Sequence, residues 1–230
     1  MFLKAEPYNW PLGGDLKPEN TALILIDMQH EFCSDKGIMA YSGCDISRIK
    51  AIIPNMQKLL KAAREVKGLT IVHTREGWKK DLSNLSELKL LDSQWRGAVI
   101  GEKGPMGRFF IEGEENFDTI PELYPIEGEL VIDKPGTGAF TDTMLEKLLL
   151  VRGIKNVIVT GVTTDCCVNS TMREATDRGF HCTMVSDCTA ALSDEYQKFF
   201  EEYVKTSIIF CTLTNLENVL AWLDECKEEK

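Results

Sequence analysis

The sequence has no apolar run that approaches the roughly 18 consecutive residues of a membrane span. Its first residues, MFLKAEPYNWPLGG, also lack the apolar core of a secretory signal peptide. Basic residues are in the minority: 36 acidic side chains against 26 basic ones give a formal net charge of -10. This charge argues against nucleic acid or an anionic membrane as the main partner. We therefore expect a cytoplasmic protein that acts on a small molecule or contacts another protein.

Metal-binding patterns are also scarce. The eight cysteines show neither the paired CxxC spacing of a zinc site nor the density of a disulfide-linked secreted domain. The three histidines, His30, His73 and His181, form no cluster with one another. Since His73 lies inside a strand pattern, a core imidazole is its favoured interpretation. The sequence predicts neither a metal nor a cofactor, and it predicts that most of the thiols are reduced and structural.

Short apolar strands alternate with amphipathic helices along most of the chain. Residues 1–20 are rich in proline and glycine and are interpreted as an extended arm, and residues 21–230 as a single domain. Strands are predicted at TALILID, LTIVHT, ELVIDK, NVIVTG, CTMVSD and SIIFCTL, and helices over about 46–67, 141–152, 166–178, 193–204 and 215–227. The alternation predicts an α/β fold of three layers, α/β/α, around a six-stranded, mostly parallel sheet. Residues 77–128, rich in glycine, proline and charge, are predicted to form a long excursion over one end of the sheet.

Three chemically useful side chains follow the ends of predicted strands. Asp27 ends the first strand, Lys134 ends the ELVIDK strand, and a short turn after NVIVTG leads to Cys166 and Cys167. The carboxyl ends of parallel strands share one edge, where helix N-termini also point. The sequence therefore predicts that an acid, a cation and a thiol meet at one site.

These residue types suit nucleophilic catalysis by a thiol. A thiol attacks a carbonyl as the thiolate, which a nearby base and the positive end of a helix both favour. Asp27 would take the thiol proton, Lys134 would orient that carboxylate, and backbone N–H groups of the GVTTDCC turn would hold an oxyanion. Each member also has an ordinary alternative, as a turn residue, a surface lysine or a buried cysteine.

At these residues the chain resembles the isochorismatase-like cysteine hydrolase superfamily, over about residues 20–220. The matching blocks are ALILIDMQHEFC, IVHTREG, PELYPIEGELVIDKPGTGAF and VTGVTTDCCVNSTMREATDRGF. In the family pattern the nucleophile is the cysteine directly before a valine, which here is Cys167. The resemblance implies a triad of Asp27, Lys134 and Cys167. It also implies a cis peptide between Val162 and Thr163, oxyanion contacts from the N–H groups of Thr163 and Cys167, and a homo-oligomer, either a tetramer or a dimer.

Within the superfamily the chain is most similar to the branch that hydrolyses ureido and carbamoyl compounds. This branch includes the biuret, ureidoacrylate and N-carbamoylsarcosine hydrolases. The resemblance implies hydrolysis of a C–N bond through a covalent acyl-enzyme. Two positions depart from biuret hydrolase: Thr206 or Ser207 replaces a substrate-binding glutamine, and Thr137 replaces a lysine in KPGTGAF.

Four residues around the triad are candidates for substrate binding: Phe32, Arg75, Phe140 and Thr137. Arg75 would pair with a substrate carboxylate or carbonyl, and a salt bridge to Glu76 or another acid is its alternative. For Phe32 and Phe140, the alternative is packing in the core. Trp78 and Trp95, on the excursion, either cover the site or contact a neighbouring subunit.

Three other functions compete with a ureide hydrolase. A nicotinamidase-like or other amidase of the same superfamily is one, although the aspartate and histidine metal cluster of nicotinamidases is missing. A binding or assembly protein without activity is the second, and the complete triad speaks against it. A redox role for the adjacent Cys166 and Cys167 is the third, but adjacent cysteines form only a strained disulfide ring.

Overall fold

The computed structural model describes residues 1–206 and 211–228. The strands, in chain order, are β1 (Thr21–Ile26), β2 (Thr70–Glu76), β3 (Lys103–Gly104), β4 (Gly107–Arg108), β5 (Leu130–Lys134), β6 (Asn156–Val162), β7 (His181–Ala190) and β8 (Thr212–Thr214). Six of them form one sheet in the order β5-β2-β1-β6-β7-β8, and every pairing in it is parallel. β3 and β4 form a separate antiparallel pair.

Helices cover both faces of this sheet. They are α1 (His30–Cys33), α2 (Ile38–Tyr41), α3 (Ser47–Arg64), α4 (Glu87–Arg96), α5 (Leu145–Val151), α6 (Asn169–Asp177), α7 (Asp194–Thr206) and α8 (Leu216–Glu228). Buried side chains of α3 and α8 share one apolar cluster, and those of α5, α6 and α7 share another on the opposite face. The predicted α/β/α fold is therefore confirmed. Within the two described ranges, no helix combines the length and apolar character needed to cross a bilayer.

β1 shows why the sheet lies at the centre. All six of its side chains, TALILI, are buried. Leu23 and Leu25 pack into the cluster beneath α3 and α8, while Ile24 and Ile26 pack into the cluster beneath α5 and α6. Successive side chains of a strand point to opposite faces, so a strand between two helical layers is apolar at every position.

The first twenty residues lie against the domain without a long helix or strand of their own. Leu3, Trp10 and Leu16 are buried in the same apolar cluster as α3. Leu3 forms an isolated antiparallel bridge with Trp10, and Glu6 forms one with Leu213 of β8. The segment is thus anchored to the domain at separate points along its length.

Several stretches differ from the prediction, among them β2, which extends to Glu76, two residues beyond its predicted end. The excursion contains the helix α4, for which the sequence interpretation had no element. The last predicted strand, SIIFCTL, begins at residues 207–210, which lie outside the described residues, and β8 covers Thr212–Thr214. At the other predicted strand ends, β1 and β5 lead into the site as expected.

Gly161 fixes how closely β6 approaches β1. Its φ is +103°, and a Cβ there would lie 2.1 Å from the carbonyl oxygen of Ile26. The pairing of β6 with β7 also shifts in register between Val159 and Gly161. Any side chain at Gly161 would therefore push apart the two strands that lead to Asp27 and to the cysteine turn.

We expect Gly161→Ala to lower the free energy of unfolding by about 3 kcal/mol or more, because it adds a backbone clash to an unfavourable φ. Urea denaturation measures this loss. Gly128→Ala is the matched control, since Gly128 has φ +93° and open space where a Cβ would be. The control is expected to lose only about 1–2 kcal/mol. Equal losses would show that the close approach to β1 contributes nothing.

Candidate active site

Asp27 directly follows β1 and is completely buried. Its φ of 49° turns the chain as the strand ends. Thr74 of β2 fixes the carboxylate: its hydroxyl donates to Asp27 Oδ1 at 2.6 Å, and its Oγ1 accepts from the Asp27 N–H at 3.2 Å. Burial raises the pKa of Asp27, and the positive charge of Lys134 opposes that shift. The carboxylate is therefore held in one orientation at the edge of the sheet.

Lys134 is the last residue of β5 and is also fully buried. Its Nζ lies 2.8 Å from Asp27 Oδ2 and donates to the carbonyl oxygens of Gly136 at 2.6 Å and Thr137 at 3.1 Å. Burial disfavours the ammonium form, but the negative charge of Asp27 and of other groups nearby raises the pKa of Lys134 above its usual value. Lys134 is therefore a permanent cation, paired and hydrogen-bonded as a buried charge requires.

Cys167 lies in a tight helical turn, Thr164–Val168, that joins β6 to α6. Only 4% of the residue is exposed. A hydrogen bond with Cys166, burial and the negative charges of Glu76 and Asp27 raise the pKa of the Cys167 thiol, and the positive charge of Lys134 opposes this shift. These surroundings favour the thiol over the thiolate, so attack by the sulfur requires a proton acceptor nearby.

Glu76 is a fourth member of the cluster, and sequence reasoning missed it. The Cys167 thiol donates to Glu76 Oε2 at 3.3 Å, and the same oxygen lies 3.6 Å from Lys134 Nζ. In the sheet Glu76 is the residue paired with Lys134, which places both side chains on one face. The available signal was the strand-end rule itself, but the predicted strand stopped at Thr74, two residues too early.

Gln29 holds Glu76 in position through the main chain. Its Nε2 donates to the carbonyl oxygens of Glu76 at 3.1 Å and Phe117 at 2.8 Å, and its Oε1 accepts from the Glu76 N–H at 2.7 Å. Phe117 belongs to the excursion. Gln29 therefore connects the end of β2 to the segment that covers it.

The excursion lies directly over the end of β2. A Cβ at Gly77 would come within 2.5 Å of the Phe117 ring and 2.9 Å of the Phe110 carbonyl oxygen. Glu31 of α1 accepts hydrogen bonds from the Phe110 N–H and from Asn116 Nδ2, which fastens the same segment to the domain. The excursion thus closes the side of the site next to Glu76.

The loop after β5 is fastened to the helix that follows the cysteine turn. Glu174 of α6 accepts hydrogen bonds from the Phe140 N–H at 2.8 Å and from the Thr141 hydroxyl, and Thr171 accepts one from the Ala139 N–H at 3.2 Å. This loop also carries the two carbonyl groups that bind Lys134. The contacts therefore fix the lysine and the cysteine relative to each other.

The peptide bond between Val162 and Thr163 is cis, as the family resemblance implies. The Thr163 carbonyl oxygen accepts hydrogen bonds from the N–H groups of Cys166 at 3.0 Å and Val168 at 3.1 Å. The oxyanion role of the Thr163 and Cys167 N–H groups stays a prediction.

Arg75 does not join the three predicted catalytic residues. Its guanidinium binds Asp133 through two hydrogen bonds, of 2.7 and 3.1 Å, and Asp118 through one of 2.9 Å, and it lies 4.7 Å from the centre of the Phe117 ring. It faces a cavity of about 670 Å³ whose lining includes none of Asp27, Lys134 and Cys167. The salt-bridge alternative therefore describes Arg75, and the geometry gives no support to its predicted contact with substrate.

Of the remaining substrate-binding candidates, Thr137 contacts the triad through its main chain, and the two phenylalanines pack on other aromatic rings. Phe32 is buried, with its ring 5.9 Å from that of Phe110 in the excursion. Phe140 packs on Phe180 at 5.7 Å, in the core. Thr137 contributes its carbonyl oxygen to Lys134. Their binding roles stay predictions, and core packing accounts for Phe140.

Other predicted positions lie outside this cluster. Thr206 ends α7, and its hydroxyl donates to the Glu202 carbonyl oxygen at 2.8 Å; Ser207, its alternative, lies outside the described residues. Trp78 is 2% exposed and packs on the excursion, whereas Trp95 of α4 is 84% exposed. The predicted oligomer, to which Trp95 was linked, stays a prediction.

The cluster contains three ligand-type atoms but also its own cation. Single atoms of Asp27, Glu76 and Cys167 all lie within 4.8 Å of one another. The ammonium group of Lys134 lies beside both carboxylates. Its fixed positive charge opposes a metal ion at the same place, and the sequence predicts a site without one.

Several known proteins are similar to this chain in sequence or in fold. The isochorismatase domain family matches residues 21–216. Ureidoacrylate amidohydrolase RutB of Acinetobacter baylyi is 32% identical over 175 residues, which are 75% of this chain and 69% of that protein. A cysteine hydrolase from Pseudomonas syringae pv. phaseolicola has a similar structure, with a TM-score of 0.79, 21% identity and 98% of both chains covered. N-carbamoylsarcosine amidase from Thermoplasma acidophilum superposes with a TM-score of 0.64 and 21% identity, over 86% of this chain and 97% of that one.

The chain belongs to the isochorismatase domain family. The resemblance stated from its sequence is thereby confirmed, and so is the prediction that it is an enzyme, since the matched relatives are amidohydrolases. The two solved structures share too little sequence to show more than the fold. What this enzyme cleaves must be argued from the site itself.

Proposed function

We propose that the protein is a cysteine-dependent hydrolase that cleaves a C–N bond of a small ureido, carbamoyl or amide compound through a covalent acyl-enzyme. The observation that carries the proposal is the buried cluster of Asp27, Lys134 and Cys167 at one edge of the sheet, after the ends of β1 and β6 and at the end of β5. Buried charges reduce stability compared with apolar side chains of the same shape. Charged groups brought together around a thiol are therefore typical of a functional site.

The cluster has the parts needed for acyl transfer. The thiol proton of Cys167 passes to the carboxylates beside it, where Asp27, fixed by Thr74 and Lys134, is the acceptor expected from the sequence. The sulfur bonds to the substrate carbonyl carbon, and the N–H groups of Thr163 and Cys167 would hold the resulting oxyanion. When the C–N bond breaks, the same proton goes to the leaving nitrogen.

Water completes the cycle. It attacks the carbonyl carbon of the acyl-enzyme and gives one proton to the carboxylate that served as the base. The C–S bond then breaks, and this proton passes to the departing sulfur and restores the Cys167 thiol. Lys134 keeps its charge throughout and compensates the negative charge that moves between sulfur and carboxylate. The names of two relatives, an amidohydrolase of ureidoacrylate and an amidase of N-carbamoylsarcosine, support a substrate with a carbamoyl group.

A substrate panel tests the proposal. We expect ammonia release from at least one of biuret, ureidoacrylate-like compounds, N-carbamoyl amino acids and nicotinamide, each offered at millimolar concentration. Prior alkylation of Cys167 should abolish it, and a mass spectrum after rapid acid quenching should show an acyl group on the peptide that contains Cys167. Activity that survives full alkylation of Cys167 would contradict the cysteine mechanism.

A further inference from the structure

Glu76 occupies the reacting centre without a place in the predicted triad. It lies at the end of β2, 3.3 Å from Cys167 Sγ through its Oε2. It is 8% exposed. Gln29 fixes its main chain by binding both the N–H group and the carbonyl oxygen of Glu76. A buried carboxylate in contact with a thiol is costly, so its presence at this position requires an explanation.

The charges of the cluster do not cancel. Two carboxylates, of Asp27 and Glu76, face the single cation of Lys134. Lys134 lies closer to Asp27, at 2.8 Å against 3.6 Å, and Thr74 also donates to Asp27. The negative charge of Glu76 is therefore compensated less than that of Asp27, and Glu76 can accept a hydrogen bond from another group. In the resting protein the thiol itself is that donor.

A bound substrate must replace the Cys167 thiol as the hydrogen-bond donor to Glu76. Its carbonyl carbon has to come within about 3–3.5 Å of Sγ for attack. The atoms attached to that carbon then lie beside Glu76 Oε2. A nitrogen that carries hydrogen can donate to Oε2, whereas a carboxylate oxygen at the same position would be repelled at short range in a site from which water is excluded.

We propose that Glu76 selects the substrate at the reacting centre, by accepting an N–H of the scissile carbamoyl or amide group and by excluding a carboxylate next to the attacked carbon. The inference rests on the proposed function and narrows its substrate class. The preferred substrates are those with a neutral, N–H-bearing end, such as a terminal carbamoyl group or a primary amide. Any carboxylate in them has to lie at the far end.

Two alkylating reagents of nearly equal size test this selection without a known substrate. Iodoacetamide carries a primary amide, and iodoacetate carries a carboxylate in its place. Each forms a bond from the Cys167 sulfur to its methylene carbon and releases iodide. The rate constant for iodoacetamide at Cys167 is divided by the rate constant for iodoacetate. This ratio, divided by the same ratio for free glutathione, measures the preference. The protein for the assay is Cys166→Ser, so that the modified peptide has one reactive thiol.

We expect the normalised ratio to favour iodoacetamide about tenfold or more in this protein and to fall to near unity with Glu76→Gln, because the repelling charge is gone. The ratio is independent of how much thiolate is present. Glu76 raises the pKa of Cys167, so Glu76→Gln increases both rates, but by the same factor. A purely structural role of Glu76 would alter both rates without changing their ratio.

Glu115→Gln is the matched control, because Glu115 is an exposed acid of the excursion and its removal changes the net charge equally. It should leave the ratio unchanged. Glu76→Asp keeps the carboxylate but moves it away from Cys167 by the length of one methylene group. This variant should retain part of the preference for iodoacetamide. A normalised ratio near unity in the protein with Glu76 intact overturns the inference, as does a ratio that Glu76→Gln leaves within twofold.

The same experiment separates this inference from the proposed function. If Cys167 is alkylated faster than the buried thiols of the core but without a preference between the reagents, only the role of Glu76 is wrong. If Cys167 reacts no faster than those thiols with either reagent, the proposed nucleophile itself is wrong.

Discussion

Cys167→Ser is expected to lose ammonia release by about 10⁴-fold or more on any compound that the parent hydrolyses, because a hydroxyl in the same environment is a far weaker nucleophile. Cys166→Ser is expected to keep most of the activity. The two residues are adjacent, but Cys166 is exposed, whereas the Cys167 thiol donates to Glu76 beside Lys134. Initial rates of ammonia release measure both variants.

Folding has to be shown for each variant. Serine is close in size to cysteine, so both should keep the melting temperature of the parent within a few degrees. Equal loss of activity at the two positions would contradict the assignment of Cys167. Activity of Cys167→Ser within tenfold of the parent would exclude a covalent mechanism at this sulfur.

The other buried cysteines show why position matters more than burial. Cys33, Cys182 and Cys188 lie in the apolar core, and burial raises the pKa of each thiol. Carboxylates near Cys33 and Cys188, and the Cys211 thiol near Cys182, act in the same direction as burial. Cys167 is equally buried, but the positive charge of Lys134 acts on it in the opposite direction. Such a neighbour is what distinguishes a candidate nucleophile from a structural thiol.

The meeting of Asp27, Lys134 and the cysteine turn was predictable from strand ends. Asp27 directly follows β1, Lys134 is the last residue of β5, and the cysteine turn follows β6, and the carboxyl ends of parallel strands share one edge. No knowledge of the strand order was needed, because any order places these ends at the same edge. The strand order then decides which ends are neighbours, and β5, β2, β1 and β6 are consecutive.

Glu76 and Arg75 show where this reasoning fails. The sequence interpretation ended β2 at Thr74 and therefore took Arg75 for the group beyond the strand. The strand continues to Glu76, and successive side chains alternate between faces. Glu76 lies on the same face of the sheet as Thr74 and reaches the site. Arg75 points to the other face and forms an ion pair with Asp133, its partner on the neighbouring strand β5. Because the predicted strand ended two residues early, the sequence interpretation selected Arg75, which forms ion pairs with Asp118 and Asp133, and not Glu76, which contacts Cys167.

The helix α4 in the excursion was missed for a different reason. Its signals were present: Ser86 Oγ accepts from the Lys89 N–H at the start, and Gly97 ends it with φ 73°. Leu88, Leu91 and Trp95 are exposed, however, so the apolar residues do not mark a face that packs on the core. Leu88, Leu91 and Trp95 nevertheless recur at helical spacing, and the helix was overlooked because the glycine, proline and charge content of the whole segment indicated irregular structure.

Lys134→Met is expected to destabilise the protein by about 3–5 kcal/mol near neutral pH, because it leaves two buried carboxylates without their cation. Methionine fills similar space, so the loss reports charge and hydrogen bonds rather than a cavity. Urea denaturation at pH 7.5 measures it. Lys155→Met is the control: Lys155 forms a 3.2 Å ion pair with Asp15 on the surface, and its removal should change the free energy of unfolding little.

The loss of unfolding free energy caused by Lys134→Met should become smaller as the pH falls. In the parent, burial raises the pKa of Asp27 and Lys134 opposes this, so removing the lysine raises that pKa further. A carboxyl group whose pKa is higher in the folded protein than in the unfolded chain favours folding at low pH and loses that contribution as the pH rises. The difference between Lys134→Met and the parent should therefore be clearly smaller at pH 5.5 than at pH 7.5.

A second substitution provides the decisive contrast. Adding Asp27→Asn to Lys134→Met removes one of the unpaired carboxylates and should recover part of the lost stability at pH 7.5. The same Asp27→Asn change in the parent breaks the 2.8 Å ion pair and should reduce stability instead. If Asp27→Asn has the same sign in both backgrounds, or if the loss in Lys134→Met does not depend on pH, then the buried charges are not coupled as the geometry of this site requires.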